Sequence, residues 1–211
     1  MIISIEQAQT YYTDLDPTHD FKHVLRVTRM ADHLAELEGA DREIVRTAAL
    51  LHDISRLEDT LLSMQADPAT DHAVLAAQAV RHILRDQPAD FVEAVAHAIE
   101  AHRFRNTIEP QTLEAKVLFD ADKLDSIGAI GVARAFAYAG TLKNPLWGDV
   151  PDGYSPTAKD KDHTPRHEFE VKLKHLKDRM TTASGRRIAE GRHDFMVAFF
   201  EQMQREIEDT Q

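Results

Sequence analysis

"AALLHDISRLED" (residues 48–59) begins as an apolar helix and then sets an imidazole and a carboxylate side by side. His52 and Asp53 stand where the pattern calls for further leucine or alanine. Asp41 is a cap for this helix, and Ile44, Val45, Ala48, Ala49 and Leu51 form its inward face. His52 follows Val45, Ala48 and Ala49 at helical spacing, so it leans with that face, and Asp53 shares a side with Ala49 and Leu50. An ionised carboxylate left unpaired in a protein interior costs roughly several kcal/mol. The doublet therefore asks for a partner.

Two further polar groups lean inward from other helical segments. His23 precedes Val27 by four residues and Met30 by seven. Asp122, in "VLFDADKLDSIG" (117–128), follows Leu118 by four and sits beside Ala121 and Leu124. Taken singly, an inward histidine is most often a satisfied core residue, and an Asp-Lys-Leu-Asp helix an ion-paired surface. Taken together, two imidazoles and two carboxylates on one core point to a common partner. A divalent cation of the Mn, Fe, Co, Ni, Zn or Mg group suits that donor set and leaves positions for water and substrate. Adjacent residues on one helix diverge, yet both can reach a cation lying beside the helix end.

Composition bounds the rest. The 211 residues suffice for a sizeable core, and 43% hydrophobic with 29% charged residues is the mix of a soluble globular protein. The formal charge of −11 repels a phosphate backbone, which argues against a nucleic-acid partner. It leaves open a small phosphorylated ligand, because a bound cation inverts the local field. With no cysteine, disulfide and thiolate chemistry are excluded. No apolar run is long enough to span a bilayer and the N-terminus lacks the features of a secretory signal, so the expected location is cytoplasmic, with no membrane partner.

Almost every segment has helical periodicity. Pro17 and Thr18 precede a helix ending at Gly39, a polar loop follows Asp53, and another helix runs from about His72 to Arg85. Three more follow before residues 143–164, a loop with three prolines and two glycines. Two long helices then close the chain, about Pro165–Thr182 and Gly185–Glu208, and could pair with a second copy. The expected fold is all-α: a single domain over 1–211, with a core at about 17–142, the loop, and a helical pair at 165–208.

The order His23…His52-Asp53…Asp122 resembles the H…HD…D pattern of the HD-domain superfamily of metal-dependent phosphohydrolases. "THDFKHVLRV", "AALLHDI", "AIEAHRF", "LEAKVLFDADKLDSIGAIGVARAF" and "DRMTTASGRRIAEGRHDFM" extend the resemblance from about residue 17 to 203, to a subgroup of small stand-alone proteins. It implies that His23, His52, Asp53 and Asp122 bind the metal. His72 and His102 match positions where relatives keep histidines near it, in second-shell, substrate-contacting or second-metal roles. His97, five positions from His102, is read as a core residue. The Gly-Tyr-Pro tripeptide of the cyclic-dinucleotide branch is absent after Asp122. Glu58 and Asp59 fall later than the acidic pair of the guanosine-tetraphosphate branch and read as a solvated loop. Similar members are described as nucleoside triphosphate pyrophosphohydrolases.

The expected activity is metal-assisted hydrolysis of a small phosphorylated substrate, a nucleoside triphosphate giving monophosphate and pyrophosphate being favoured. Asp53 would also align the attacking water, and His102 or His72 would stabilise charge or protonate the leaving group. Lys123 and Arg26 are candidate phosphate contacts, each on a helix that carries a ligand, although an ordinary salt bridge explains either equally well. Trp147 and Tyr154 could close the 143–164 loop over a base, or simply belong to a surface connector. The alternatives are a nucleotidase on the same site and a non-catalytic, metal-stabilised module that senses a nucleotide.

Overall fold

The computed structural model describes residues 2–12, 20–54, 71–103, 107–155 and 162–208. The described residues are helical with no strand, as the periodicity predicts. They form two compact units, Met1–Asp122 with Thr181–Gly185, and Lys123–Met180 with Arg186–Gln211.

The first unit is built on short polar punctuation and apolar faces. After a brief α1 (Ile5–Gln9), α2 (Phe21–Glu38) starts at Asp20, whose carboxylate accepts the His23 N–H at 3.0 Å. It stops at Gly39, whose φ of 76° lies in the left-handed region where glycine carries no Cβ penalty. Its inward stripe is Val24, Val27, Ala31, Leu34 and Ala35, all fully buried, while Met30 is only half-buried. Helix α3 (Arg42–Leu51) is capped by Asp41 through the N–H groups of Glu43 and Ile44. It packs against α1, α2 and α5 (Ala89–Glu100), while α4 (His72–Ile83) packs against α5. The Tyr12 hydroxyl donates to the Leu50 carbonyl at 2.9 Å. These contacts fix the end of α3, where the His-Asp doublet sits.

Helix α6 (Leu113–Asp125) buries Ala115, Val117, Leu118, Ala121 and Leu124, so its charged residues share the helix with a buried apolar stripe. In the second unit, α7 (Gly128–Thr141) and α8 (Pro165–Val171) are in contact. Phe169 stacks on Phe200 of α9 (Ala183–Ile207) at 4.4 Å between ring centroids.

One expected element is corrected. The helix read over Pro165–Thr182 is two pieces: α8 ends at Val171, and Leu173–Arg179 is a 3-10 helix followed by extended Met180. Leu173 and Leu176, three residues apart, are its buried pair. A spacing of three stacks residues on a 3-10 turn as well as it fits an α-helical face, so the apolar pattern does not separate the two. Pro17, Thr18, Glu58 and Asp59 lie outside the described residues, as do 156–161 of the Pro/Gly-rich loop.

Candidate metal centre

His23 enters the site from the first turn of α2, with only 1% of its surface exposed. His52 is the C-cap of α3, and Asp53 is the next residue beyond it. His52 keeps helical backbone angles, φ −65° and ψ −29°, so the two Cα–Cβ bonds still diverge, and it is the polar ends of the side chains that meet beside the helix end. His52 Nε2 and His23 Nε2 lie 3.5 and 3.7 Å from Asp53 Oδ2. Asp122 brings its Oδ1 to 3.5 Å from His23 Nε2 and 4.0 Å from His52 Nε2. The structure thus gathers all four expected ligands within the first unit.

The ring tautomers follow from local hydrogen bonds. His52 Nδ1 lies 2.8 Å from the Ala49 carbonyl, and His102 Nδ1 lies 2.6 Å from the Ile99 carbonyl. A carbonyl only accepts, so each Nδ1 carries a proton and each neutral ring presents a lone pair at Nε2. His52 Nε2 is buried and has no hydrogen-bond partner among the described residues. A buried lone pair without a donor is costly in a folded core but suits a metal ligand held in place by its second nitrogen.

The spacing fits an ion as well. Donor atoms of His23, His52 and Asp53 all lie within 4.8 Å of one another. Donors bonded to one cation at roughly 2.0–2.2 Å are separated by no more than about 4.4 Å. The four distances just given satisfy that bound, and the group whose donors all lie close enough together for one ion is His23, His52 and Asp53, with Asp122 close to the two imidazoles. The residues present therefore fit a divalent cation.

His102, just beyond α5, approaches from another side. Its Nε2 is 3.8 Å from Asp53 Oδ1, the oxygen not directed at His23 and His52, and its ring meets the His52 ring edge-on at 5.1 Å. Asp53 therefore faces three imidazoles, His23 and His52 through Oδ2 and His102 through Oδ1. His72 is the exposed first residue of α4. Arg26 is half-buried one turn after His23, and Lys123 is buried next to Asp122 in sequence. His97 is not the core residue expected: it is half-buried, and its Nε2 accepts the Gln111 N–H at 3.2 Å. Trp147 lies under the Arg166 guanidinium at 4.5 Å, and the Tyr154 hydroxyl meets His163 Nδ1 at 3.0 Å.

The family model described as HD domain matches residues 20–127, which include His23, His52, Asp53, His102 and Asp122. The chain belongs to the HD-domain family.

As an HD protein it is a metal-dependent phosphohydrolase with a divalent cation as cofactor. It is 36% identical over 205 residues to the uncharacterised YpgQ of Bacillus subtilis, covering 94% of this chain and 89% of that one. The crystal structure of Bacillus subtilis YpgQ in complex with ADP aligns with a TM-score of 0.73 at 33% identity, over 97% of this chain and 98% of that one. An HD-superfamily hydrolase from Bacillus thuringiensis aligns at 0.71 and 32% identity, over 98% and 97% of the two chains. A shorter match, 36% over 121 residues, joins this HD protein to ribonuclease Y of Chloroflexus aurantiacus, covering 57% of this chain and 20% of that enzyme. No helix among the described residues is long and apolar enough to cross a membrane.

Sequence reasoning missed Asp120, a fully buried carboxylate two residues before Asp122. An acidic residue between Phe119 and Ala121 on an apolar helix was the available signal.

Proposed function

We propose that this HD protein hydrolyses a nucleotide, with a nucleoside triphosphate cleaved to monophosphate and pyrophosphate. The observation that carries the reading is the ADP complex of a protein 33% identical over nearly the whole chain. The formal charge of −11 favours a small phosphorylated substrate over a polyanionic strand.

In this reading His23, His52, Asp53 and Asp122 hold the cation. When bound, it supplies a Lewis acid that polarises a phosphoryl oxygen and eases deprotonation of water near neutral pH. Asp53 has a second duty, accepting a hydrogen bond from the attacking water and orienting it in line with the α-phosphorus. As the new P–O bond forms, the bond from that phosphorus to the bridging oxygen breaks, and pyrophosphate leaves. His102, with its Nδ1 committed to the Ile99 carbonyl, uses Nε2 to move a proton at the reacting end of the substrate. His72, Arg26 and Lys123 are the cations and imidazole proposed to meet the remaining phosphate charge.

The test is incubation of the protein and its Asp53→Ala variant with Mn²⁺ and a panel of nucleoside mono-, di- and triphosphates, with products separated by chromatography. Monophosphate plus pyrophosphate, absent with the variant, is the expected result. Nucleoside plus phosphate from a monophosphate would make the enzyme a nucleotidase on the same site. No Asp53-dependent product from any nucleotide would overturn the substrate assignment.

A further inference from the structure

Asp120 of α6 is completely buried, and its carboxylate is seated far along the chain in the turn that opens α9, where Thr181 and Thr182 precede the first helical residue, Ala183. Oδ1 accepts the Thr181 N–H at 2.8 Å and the Thr181 hydroxyl at 3.0 Å. Oδ2 accepts the Thr182 N–H at 2.8 Å and the Thr182 hydroxyl at 2.7 Å. Hydrogen bonds to an ionised acceptor are the strong kind, and two consecutive residues supply all four of these. The Thr182 hydroxyl also accepts the Gly185 N–H at 2.9 Å, the bond an N-cap makes, so the start of α9 is organised around the Asp120 carboxylate.

Gly185 is what leaves room for it. A Cβ there would collide with Asp120 Oδ2 and lie 2.9 Å from its Cγ and 2.8 Å from Thr182 Oγ1. The same turn is tied to a second helix, since the Ser184 N–H donates to Glu38 Oε1 at 2.6 Å. Glu38 is the last residue of α2, the helix that carries His23. One short turn therefore holds both helices whose side chains meet as His23 and Asp122.

Residues two apart on a helix point about 200° away from each other. Asp120 and Asp122 thus leave α6 on nearly opposite sides, one into the turn and the other toward His23. We infer that Asp120 is a positioning residue: its clamp on Thr181 and Thr182 sets the rotation of α6 and so holds Asp122 Oδ1 at 3.5 Å from His23 Nε2. A rotation of about 10° would move a carboxylate some ~6 Å from the helix axis by about 1 Å, enough to spoil ligand geometry. The inference rests on the reading of Asp122 as a metal ligand.

The experiment measures Mn²⁺ dissociation constants from the free-ion electron paramagnetic resonance signal at 25 °C, alongside helicity and melting temperature. Asp120→Asn keeps the shape but turns an amide N–H₂ toward backbone donors. Thr182→Val removes one hydroxyl, and Thr182→Ser retains it. Asp120 does not touch Asp122 and acts only by placing it. A ligand carboxylate moved by about 1 Å loses bonding geometry to an extent comparable with the roughly 10–100-fold that groups orienting a ligand directly contribute. Asp120→Asn and Thr182→Val are therefore expected to weaken Mn²⁺ binding at least about tenfold, with Thr182→Ser close to the parent. If Asp120→Asn does not fold, the threonine pair decides alone. Lower melting temperatures with parental Mn²⁺ affinity would make the clamp purely structural and overturn the inference, provided Asp122→Ala still loses affinity. Parental affinity in Asp122→Ala would overturn the ligand reading and the positioning role together.

Discussion

His52 Nε2 and Asp53 Oδ2 lie 3.5 Å apart, although they belong to consecutive residues that a continuous helix would splay. The His52 ring is held for this approach by its Nδ1, which is fastened to the Ala49 carbonyl. The doublet is a helix-end device, and its consequences can be measured.

Mn²⁺ should stabilise the protein against heat. At a free concentration 100 times its dissociation constant, a ligand that binds only the folded state adds about 2.7 kcal/mol. For a chain of this size that is roughly a 5–10 °C rise in Tm. Calorimetry with Mn²⁺ and with a chelator reads the shift, and the Asp53→Ala variant should show almost none of it.

His102 should separate chemistry from metal binding. With its Nε2 on the Asp53 Oδ1 side, His102→Ala is expected to lower kcat by about 100-fold while changing Mn²⁺ affinity by less than about threefold. An equal loss in both quantities, measured by steady-state kinetics and metal titration, would instead make it a ligand.

Glu168 gives the second unit a pH-dependent contribution. Burial works against the charged carboxylate, but Lys172 at 2.6 Å and His163 at 3.0 Å outweigh it and hold the pKa below the ordinary value. With the folded pKa below the unfolded one, this stabilisation is complete above the unfolded value of about 4.3 and disappears as pH falls through the folded pKa. Thermal melts from pH 7 to pH 3 should show a shallower acid-side decline in Glu168→Gln, which should cost about 1 kcal/mol at pH 7.

Trp147 and Tyr154 should affect stability more than substrate affinity. Each aromatic is already engaged inside its own unit, Trp147 by Arg166 and Tyr154 by His163 and His167. Trp147→Ala is expected to lower stability by roughly 1 kcal/mol or more through lost packing and the lost cation–π contact. The Michaelis constant should stay within about twofold of the parent value. A tenfold rise would make this loop a cover for the base.

The doublet, His23 and Asp122 were legible because local spacing reports which way a helical side chain leans, and four leaning polar groups require a shared explanation. The caps at Asp41 and Gly39 were legible for the same local reason. Asp120 was not, because its partners lie 61 and 62 residues away and nothing near it in sequence announces threonine donors. Nor was the break at Lys172, where a three-residue apolar spacing serves two helix types. Lying five positions from His102, His97 faces another way and reads as core; the ring instead is half-buried and satisfies a backbone N–H of the segment before α6.

The seat of Asp120 also imposes an order on synthesis. A nascent chain that has just completed α6 carries that carboxylate for about 60 residues before Thr181 and Thr182 follow. At roughly 5–20 residues per second this is an interval of about 3–12 s. Throughout it, a carboxylate destined for full burial lacks its four donors, and the segment that ties α6 to the end of α2 does not yet exist. A polypeptide ended at residue 127, where the HD match ends, would stop before the threonines that complete the seat of Asp120.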